Sequence, residues 1–248
     1  MATLAGGQFA VRRRNDRNAF LIFIAAVWIG ALSGFGTDSV QHVAAKGLDY
    51  PLIVHVHAVS FVSYLLLFTV QAVLIRNGRP DLHRRLGVAG AVLAGWMLIV
   101  GPATAVTVDA AHYASAGETP EFLGVQLTDM LAFAVLTGAG LLRRGDAMAH
   151  KRLMLLGLFY ISDAGFARFL NGFVAAPVGQ GRLGEFIALY LGSDLLILAL
   201  GAYDFAVRRR LHPAYVAALG FVIANELLGQ SLLHSAAWKA ISLKLIGA

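Results

Sequence analysis

Seven ionisable side chains lie within stretches of the chain that are otherwise strongly apolar. Such residues are costly inside a membrane, so they usually face the interior of a helix bundle and serve a function. Arg168 could neutralise Asp163, five residues before it, or Asp194. Acids outnumber bases, which predicts that some acid is protonated or bound to a metal. We expect the set to line one water-accessible cavity that opens outward; the alternative is a structural polar network that fixes helix packing. The set is His57, Asp129, Asp163, Arg168, Asp194, Glu226 and His234.

Histidines provide a second candidate chemistry, because imidazole is the commonest metal ligand and an axial ligand of haem. We predict that His57 ligates a b-type haem or a transition metal, with His83 and His150 as candidate ligands near the inner surface. His55 could share a metal with His57 only if the helix starts after His55, because residues two apart on a helix point about 160° apart. An equally good alternative makes His83 and His150 helix-cap residues that bond lipid phosphate.

Seven apolar runs approach the ~20 residues that a helix needs to cross a membrane, and they carry these side chains. The hydrophobic content of 58% and the charged content of 14% exclude an ordinary soluble domain. The sequence therefore predicts an all-α polytopic membrane bundle of seven helices, with one leading helix followed by three hairpins. The runs cover residues 18–36, 52–75, 86–108, 121–142, 153–173, 185–207 and 213–236.

The distribution of basic residues predicts the orientation of the chain. Fifteen of the twenty Lys and Arg residues lie in the N-terminal arm or in every second loop. Cytoplasmic loops carry the excess of Lys and Arg, so we expect the N-terminus inside a bacterial inner membrane. This predicts a cytoplasmic arm at 1–17, a transmembrane domain at 18–236 and an external tail at 237–248. The net charge of +6 then follows topology and indicates the lipid bilayer, not nucleic acid, as partner. The fifteen are Arg12, Arg13, Arg14, Arg17, Arg76, Arg79, Arg84, Arg85, Arg143, Arg144, Lys151, Arg152, Arg208, Arg209 and Arg210.

Two of the basic loops are copies of one pattern. Residues 74–86 align without a gap on residues 141–153, and six of the thirteen positions are identical. Selection for positive loops explains the shared arginines, but it explains less easily why His83 and His150 stand in register. We therefore predict an internal duplication that places these two histidines pseudo-symmetrically at the inner surface.

These motifs resemble an uncharacterised bacterial family of predicted membrane proteins, which carries domain of unknown function 2306. The resemblance covers roughly residues 55–170 and implies His57, His83, His150 and Arg168 as a functional set, without naming a reaction. The chain departs from the family pattern at Leu153, where an aromatic residue is usual, and has additional helices at both ends. The first half of the pattern is a histidine in helix two, Gln71, Arg76 and His83-Arg84-Arg85-Leu86-Gly87, and the second is Arg144, His150-Lys151-Arg152-Leu153-Met154 and Arg168.

Several functional classes are excluded by missing residues. The chain has no cysteine, so disulfides, iron–sulfur clusters and thiol nucleophiles are absent, and it has no Walker motif. The predicted last helix has no lysine to form a retinal Schiff base. Two classes remain, and the sequence assigns no enzymatic reaction to either. The first is a redox protein that holds haem or a metal and exchanges electrons with quinone. The second is a small transporter, or an accessory subunit that associates with other membrane subunits.

Overall fold

The computed structural model describes residues 14–179 and 181–248, and within these ranges the chain is helical and forms no strand. A π-helical segment, Leu32–Gly36, joins the first two helices. Residues 1–13 of the predicted N-terminal arm, including Arg12 and Arg13, lie outside the described residues. The helices are α1 (Arg14–Ala31), α2 (Thr37–Lys46), α3 (Leu52–Arg76), α4 (Pro80–Ala116), α5 (Leu123–Leu142), α6 (Ala147–Ile161), α7 (Asp163–Val178), α8 (Arg182–Arg208), α9 (Pro213–Leu233) and α10 (Ala236–Leu245).

Six helical stretches in the described part of the chain are long and apolar enough to cross a membrane. They are residues 18–46, α3, α4, α5, α8 and α9. Helices α6 and α7 pass the same test only together, and they meet at a bend of 47°. The all-α fold, with several helices long and apolar enough to span a membrane, is thus confirmed for the described residues. The predicted continuous helix over 153–173 is wrong, because the chain breaks at Ser162.

The Ser162 side chain, at the break between α6 and α7, bonds back to the preceding helical turn. Its hydroxyl donates hydrogen bonds to the backbone carbonyls of Leu158, at 2.8 Å, and Phe159, at 2.9 Å. Such a bond favours bending of a helix, although Ser60 and Thr104 make the same bond inside helices that continue. After the break α7 starts afresh, and Asp163 is its first residue, in the middle of the apolar region.

Three loops lie together at one end of the bundle, which we term the basic end. They span residues 77–79, 143–146 and 209–212 and contain or adjoin the arginine runs. Asp146 caps α6 by accepting bonds from the backbone N–H groups of Met148 and Ala149, and His212 caps α9 through Ala214. Such caps satisfy donors that a helix start leaves unpaired. They fix where the helices turn back.

The helices pack in two groups. In the first, α3 packs on α4, α4 on α5, and α5 on both α6 and α9. In the second, α7 packs on α8 and on the π-helical segment. The predicted third hairpin, α8 with α9, shares the basic loop but makes far less mutual contact than α7 with α8. Chain connectivity therefore does not coincide with packing.

Two elements complete the bundle. The leading segment, residues 18–46, packs on α7 at the point where Gly34 contacts Gly165. A Cβ added at Gly34 would overlap the Gly165 carbonyl oxygen. The predicted tail at 237–248 contains α10, which packs against α5 and α9. Its Trp238 indole donates to the backbone carbonyl of Glu121 at 3.1 Å. The first turn of α10 is thereby fixed at the end opposite the basic end, which we term the far end.

Candidate functional site

Four carboxyl groups from four helices meet inside the bundle, and we term them the acidic cluster. They are Asp129 on α5, Asp163 at the start of α7, Asp194 on α8 and Glu226 on α9. Asp163 and Glu226 are each only 3% exposed. Asp129 interacts electrostatically with Asp163 and Glu226, and Asp194 interacts electrostatically with the same two groups. The structure thus brings together four of the seven polar residues singled out in the sequence.

Hydroxyl and amide groups surround the acidic cluster. The Ser193 hydroxyl donates to Asp163 Oδ1 at 2.6 Å. On the other side, Asn225 Nδ2 donates to the Tyr160 hydroxyl at 2.9 Å and to the Thr128 carbonyl at 3.1 Å. Neutral polar groups of α5, α6, α8 and α9 therefore lie beside the carboxyl groups.

Several buried atoms around the cluster have no hydrogen-bond partner among the described residues. They are the Tyr190 hydroxyl, Asn225 Oδ1, Glu226 Oε1 and Asp129 Oδ1. Tyr190 is fully buried and Asn225 is nearly so. Gly229 leaves room for them, because a Cβ there would lie 2.7 Å from the Tyr190 hydroxyl oxygen. Buried polar atoms are nearly always bonded, so unpaired ones mark a place for water, an ion or a mobile proton.

Arg168 does not belong to the acidic cluster, and its predicted pairing with Asp163 or Asp194 is wrong. Its guanidinium is half-exposed, lies 3.6 Å from Asp38 and stacks over the Phe35 ring at 4.8 Å from the centroid. The reason is helical phase, because five residues turn the helix by about 500° and place Arg168 about 140° away from Asp163. The interactions described for the four carboxyl groups involve hydroxyls and other acids, and none involves a Lys or Arg of the described residues.

His234, also predicted in the buried set, lies at the far end as the last cap of α9. Its Nε2 atom lies 2.8 Å from Glu185 Oε2, on the first turn of α8. The Gln230 side-chain amide contacts both groups and donates to Glu185 at 3.0 Å. Sequence reasoning missed both Glu185 and Gln230, although the four-residue spacing from Glu226 to Gln230 to His234 was available as a signal.

The histidines predicted as ligands occupy two separate places. His83 and His150 lie side by side at the basic end, with ring centroids 6.2 Å apart. His57 lies near the far end of α3, about 21 Å along that helix from the level of Gln71, which contacts His83. One metal cannot bind both places. The condition under which His55 and His57 could share a metal is not met, because α3 starts at Leu52 and puts both residues on the helix.

The two duplicated histidines make equivalent bonds. The Nδ1 atom of His83 lies 3.3 Å from the carbonyl of Gln71, and that of His150 lies 2.8 Å from the carbonyl of Gly140. Each imidazole thus ties the start of one helix to the end of the preceding helix. Among the described residues, no group of three or more His, Asp or Glu side chains is placed to hold a metal ion.

A buried ion pair at the basic end was missed by sequence reasoning. Arg152 is fully buried, and two of its guanidinium nitrogens lie 2.5 Å from the two Asp204 carboxylate oxygens. Arg208 contacts the same carboxylate at 3.0 Å. Nearby, burial lowers the pKa of the His212 imidazole, and the Arg152 charge acts in the same direction. These contacts lock α6 to α8 at the end away from the acidic cluster.

Comparisons of the chain with models of protein families, with curated proteins and with solved structures find no match. The resemblance to the family with domain of unknown function 2306 therefore stays a prediction.

Proposed function

We propose that the chain is a small multi-pass transporter of a bacterial inner membrane, with its N-terminus inside, that couples transport to proton movement. The acidic cluster is its proton-binding site. The observation that carries the proposal is the meeting of four carboxyl groups from four helices with no described basic partner. Acids at membrane depth are characteristic of proton relays in pumps and transporters.

Electrostatics supports the same function. Several negative charges buried together in an apolar bundle repel one another and lose their hydration, so the cluster needs compensating positive charge. Protons can supply that charge, and the unpaired oxygen of Glu226 offers a site for one. The cluster also lies between the two packing groups of helices, as expected for a site around which a transporter rearranges.

The test uses the full chain reconstituted in liposomes that contain a pH-sensitive dye. An imposed proton gradient should produce a flux that Glu226→Gln and Asp194→Asn reduce to the level of empty liposomes. Glu118→Gln is the matched control, because Glu118 is an exposed acid in a loop. Wild-type flux equal to that of empty liposomes under every gradient and ion condition would refute the proposal. Equal flux in wild type and Glu226→Gln would remove Glu226 from the site.

The paired histidines favour a second candidate, a redox protein with haem b or a transition metal and quinone as partner. Each Nδ1 of His83 and His150 is engaged with a backbone carbonyl, the arrangement that orients an imidazole to ligate through Nε2. A bound haem should give a Soret band that His83→Ala and His150→Ala abolish and that His112→Ala, at the far end of α4, leaves unchanged. A colourless protein without stoichiometric iron, copper or zinc would refute this candidate.

A further inference from the structure

A line of polar side chains runs along α9 from the far end of the bundle to the acidic cluster. Glu226, Gln230 and His234 follow one another at intervals of four residues, so they share one face and climb about 6 Å per step. Glu226 is buried in the cluster, Gln230 is half-buried, and His234 ends the helix with a partly exposed ring. The line therefore joins solvent at the far end to the interior.

Hydrogen bonds connect this line to α8. Glu185 Oε2 accepts from Gln230 Nε2 at 3.0 Å and lies 2.8 Å from His234 Nε2, while Gln230 and His234 are 2.9 Å apart. The three groups form a closed triangle. Gln230 Oε1 is buried and has no described partner, so the amide still has an acceptor to offer beyond the triangle.

A recess lies at the solvent side of the same residues. Its volume is about 350 Å³, and it is lined by Arg182, Leu227, Gln230, Ser231 and His234. That volume can hold on the order of ten water molecules. Gln230 and His234 therefore face both the recess and the line that leads to the cluster.

We propose that this recess is the site where protons are exchanged between the external solvent and the acidic cluster. The His234–Glu185 pair takes up or releases the proton at the mouth, and Gln230 positions the hydrogen-bonded path to Glu226. The span from His234 to Glu226 is about 12 Å along the helix, too long for a direct transfer, so an intermediate link is required. The proposal rests on the proposed proton-coupled function and names the access route to its site.

The charges at the two ends of the bundle favour the far end as the route by which protons reach the acidic cluster. At the basic end, Arg152 and Arg208 are buried beside Asp204 and present positive charge to any proton approaching along α8. Asp204 lies about 15 Å from Asp194 along that helix, so it is not part of the cluster. At the far end, Glu185 supplies a negative charge at the mouth of the recess, where Arg182 is the one lining side chain with a fixed positive charge.

The experiment follows exchange of the Glu226 carboxyl proton for deuterium by infrared spectroscopy on the reconstituted full chain. The Glu226 signal is defined as the carboxylic-acid band that disappears in Glu226→Gln. Gln230→Leu should slow its exchange roughly tenfold, because one broken link adds the cost of an unpaired buried polar group. Ser231→Leu is the matched control, since it adds the same side chain to the recess off the polar line. Gln230→Met serves as a second, smaller change should the leucine variant not fold.

The outcomes separate the two proposals. Exchange slowed in Gln230→Leu and His234→Asn but not in Ser231→Leu supports the route. Wild-type exchange rates in Gln230→Leu or Gln230→Met, or equal slowing in Ser231→Leu, would overturn the route while proton flux through the wild-type protein continues to support the acidic cluster. Loss of both the flux and any Glu226-dependent band would instead overturn the proposed function itself.

Discussion

Arg152 shows how one side chain can hold two helices together inside an apolar bundle. Its guanidinium is bonded to both oxygens of Asp204 and to the backbone carbonyl of Met148 at 2.8 Å. Removing one partner of a buried pair leaves an uncompensated charge, which costs far more than loss of the attraction alone. Arg152 and Asp204 are therefore each stable in the interior only while the other is present.

Replacing Arg152 by Met should lower the free energy of unfolding by about 3 kcal/mol, because Asp204 then loses its two bonds to Arg152 and keeps the contact with Arg208. Arg85→Met, at the equivalent but exposed repeat position, should change it by no more than about 0.5 kcal/mol. Denaturation of the two variants in the same detergent measures both values. Equal losses would contradict a specific role for Arg152.

The two repeat arginines show which parts of the structure the sequence predicts and which it does not. Arg85 and Arg152 stand in register, and the hairpins around them are local structures that the loop pattern predicts. Their difference arises from Asp204, which lies 52 residues further along and packs only against the second copy. The four acids could be chosen from their depth in apolar runs. The wrong pairing of Arg168 with Asp163 was avoidable, because a five-residue spacing already places the two side chains about 140° apart on one helix.

His212 should make the stability of the bundle depend on pH. Its Nδ1 accepts the cap bond from Ala214 at 3.1 Å, which only the neutral ring can do, and burial lowers its pKa. The contribution is therefore present above the unfolded pKa of about 6.5 and is lost as the pH falls through and below it.

In His212→Asn the cap acceptor remains but does not titrate. The stability of the wild type relative to this variant should decline between about pH 7.5 and about pH 5. Thermal unfolding at a series of pH values provides the measurement, and a difference independent of pH would contradict the assignment.

At the scale of helices, docking of the leading segment depends on two glycines in direct backbone contact. Gly34→Ala should destabilise the protein by about 1–3 kcal/mol, because the added methyl meets the Gly165 carbonyl and the helices must separate. Gly36→Ala is the matched control in the same π-helical segment, and nothing lies within 4 Å of its added Cβ. Thermal unfolding of both variants tests the contact, and equal midpoints would show that the close approach carries no energy.

The helices themselves were predictable to different degrees. Apolar runs of sufficient length predict α3, α5 and α9 nearly to their ends, because burial in lipid requires such runs. The division of 153–173 into α6 and α7 could not be predicted. Neither proline nor glycine stands at Ser162, and serines and threonines with the same back-bond leave other helices unbroken. The preference of α8 for α7 over α9 depends on contacts that no local pattern contains.

For the whole molecule, the proposed orientation leads to a labelling prediction. The chain has no cysteine, so single cysteines can be introduced without background. At Asn77 and Gly145, in the loops of the basic end, they should resist an impermeant thiol reagent added to intact cells, whereas one at Gly181 should react. Labelling at Asn77 from outside would reverse the orientation, and labelling at all three sites after lysis is the control for accessibility.

The acidic cluster lies where the two packing groups of helices meet. Asp163 and Asp194 belong to the α7–α8 group, whereas Asp129 and Glu226 belong to the group built on α5 and α9. The Ser193–Asp163 bond lies within one group and the bonds of Asn225 lie within the other. The Asp129–Asp163 and Asp194–Glu226 interactions join the two groups. Each proton gained or lost there changes the electrostatic repulsion between the two packing groups, and the 47° bend at Ser162 is one place where the chain passes from the first group to the second.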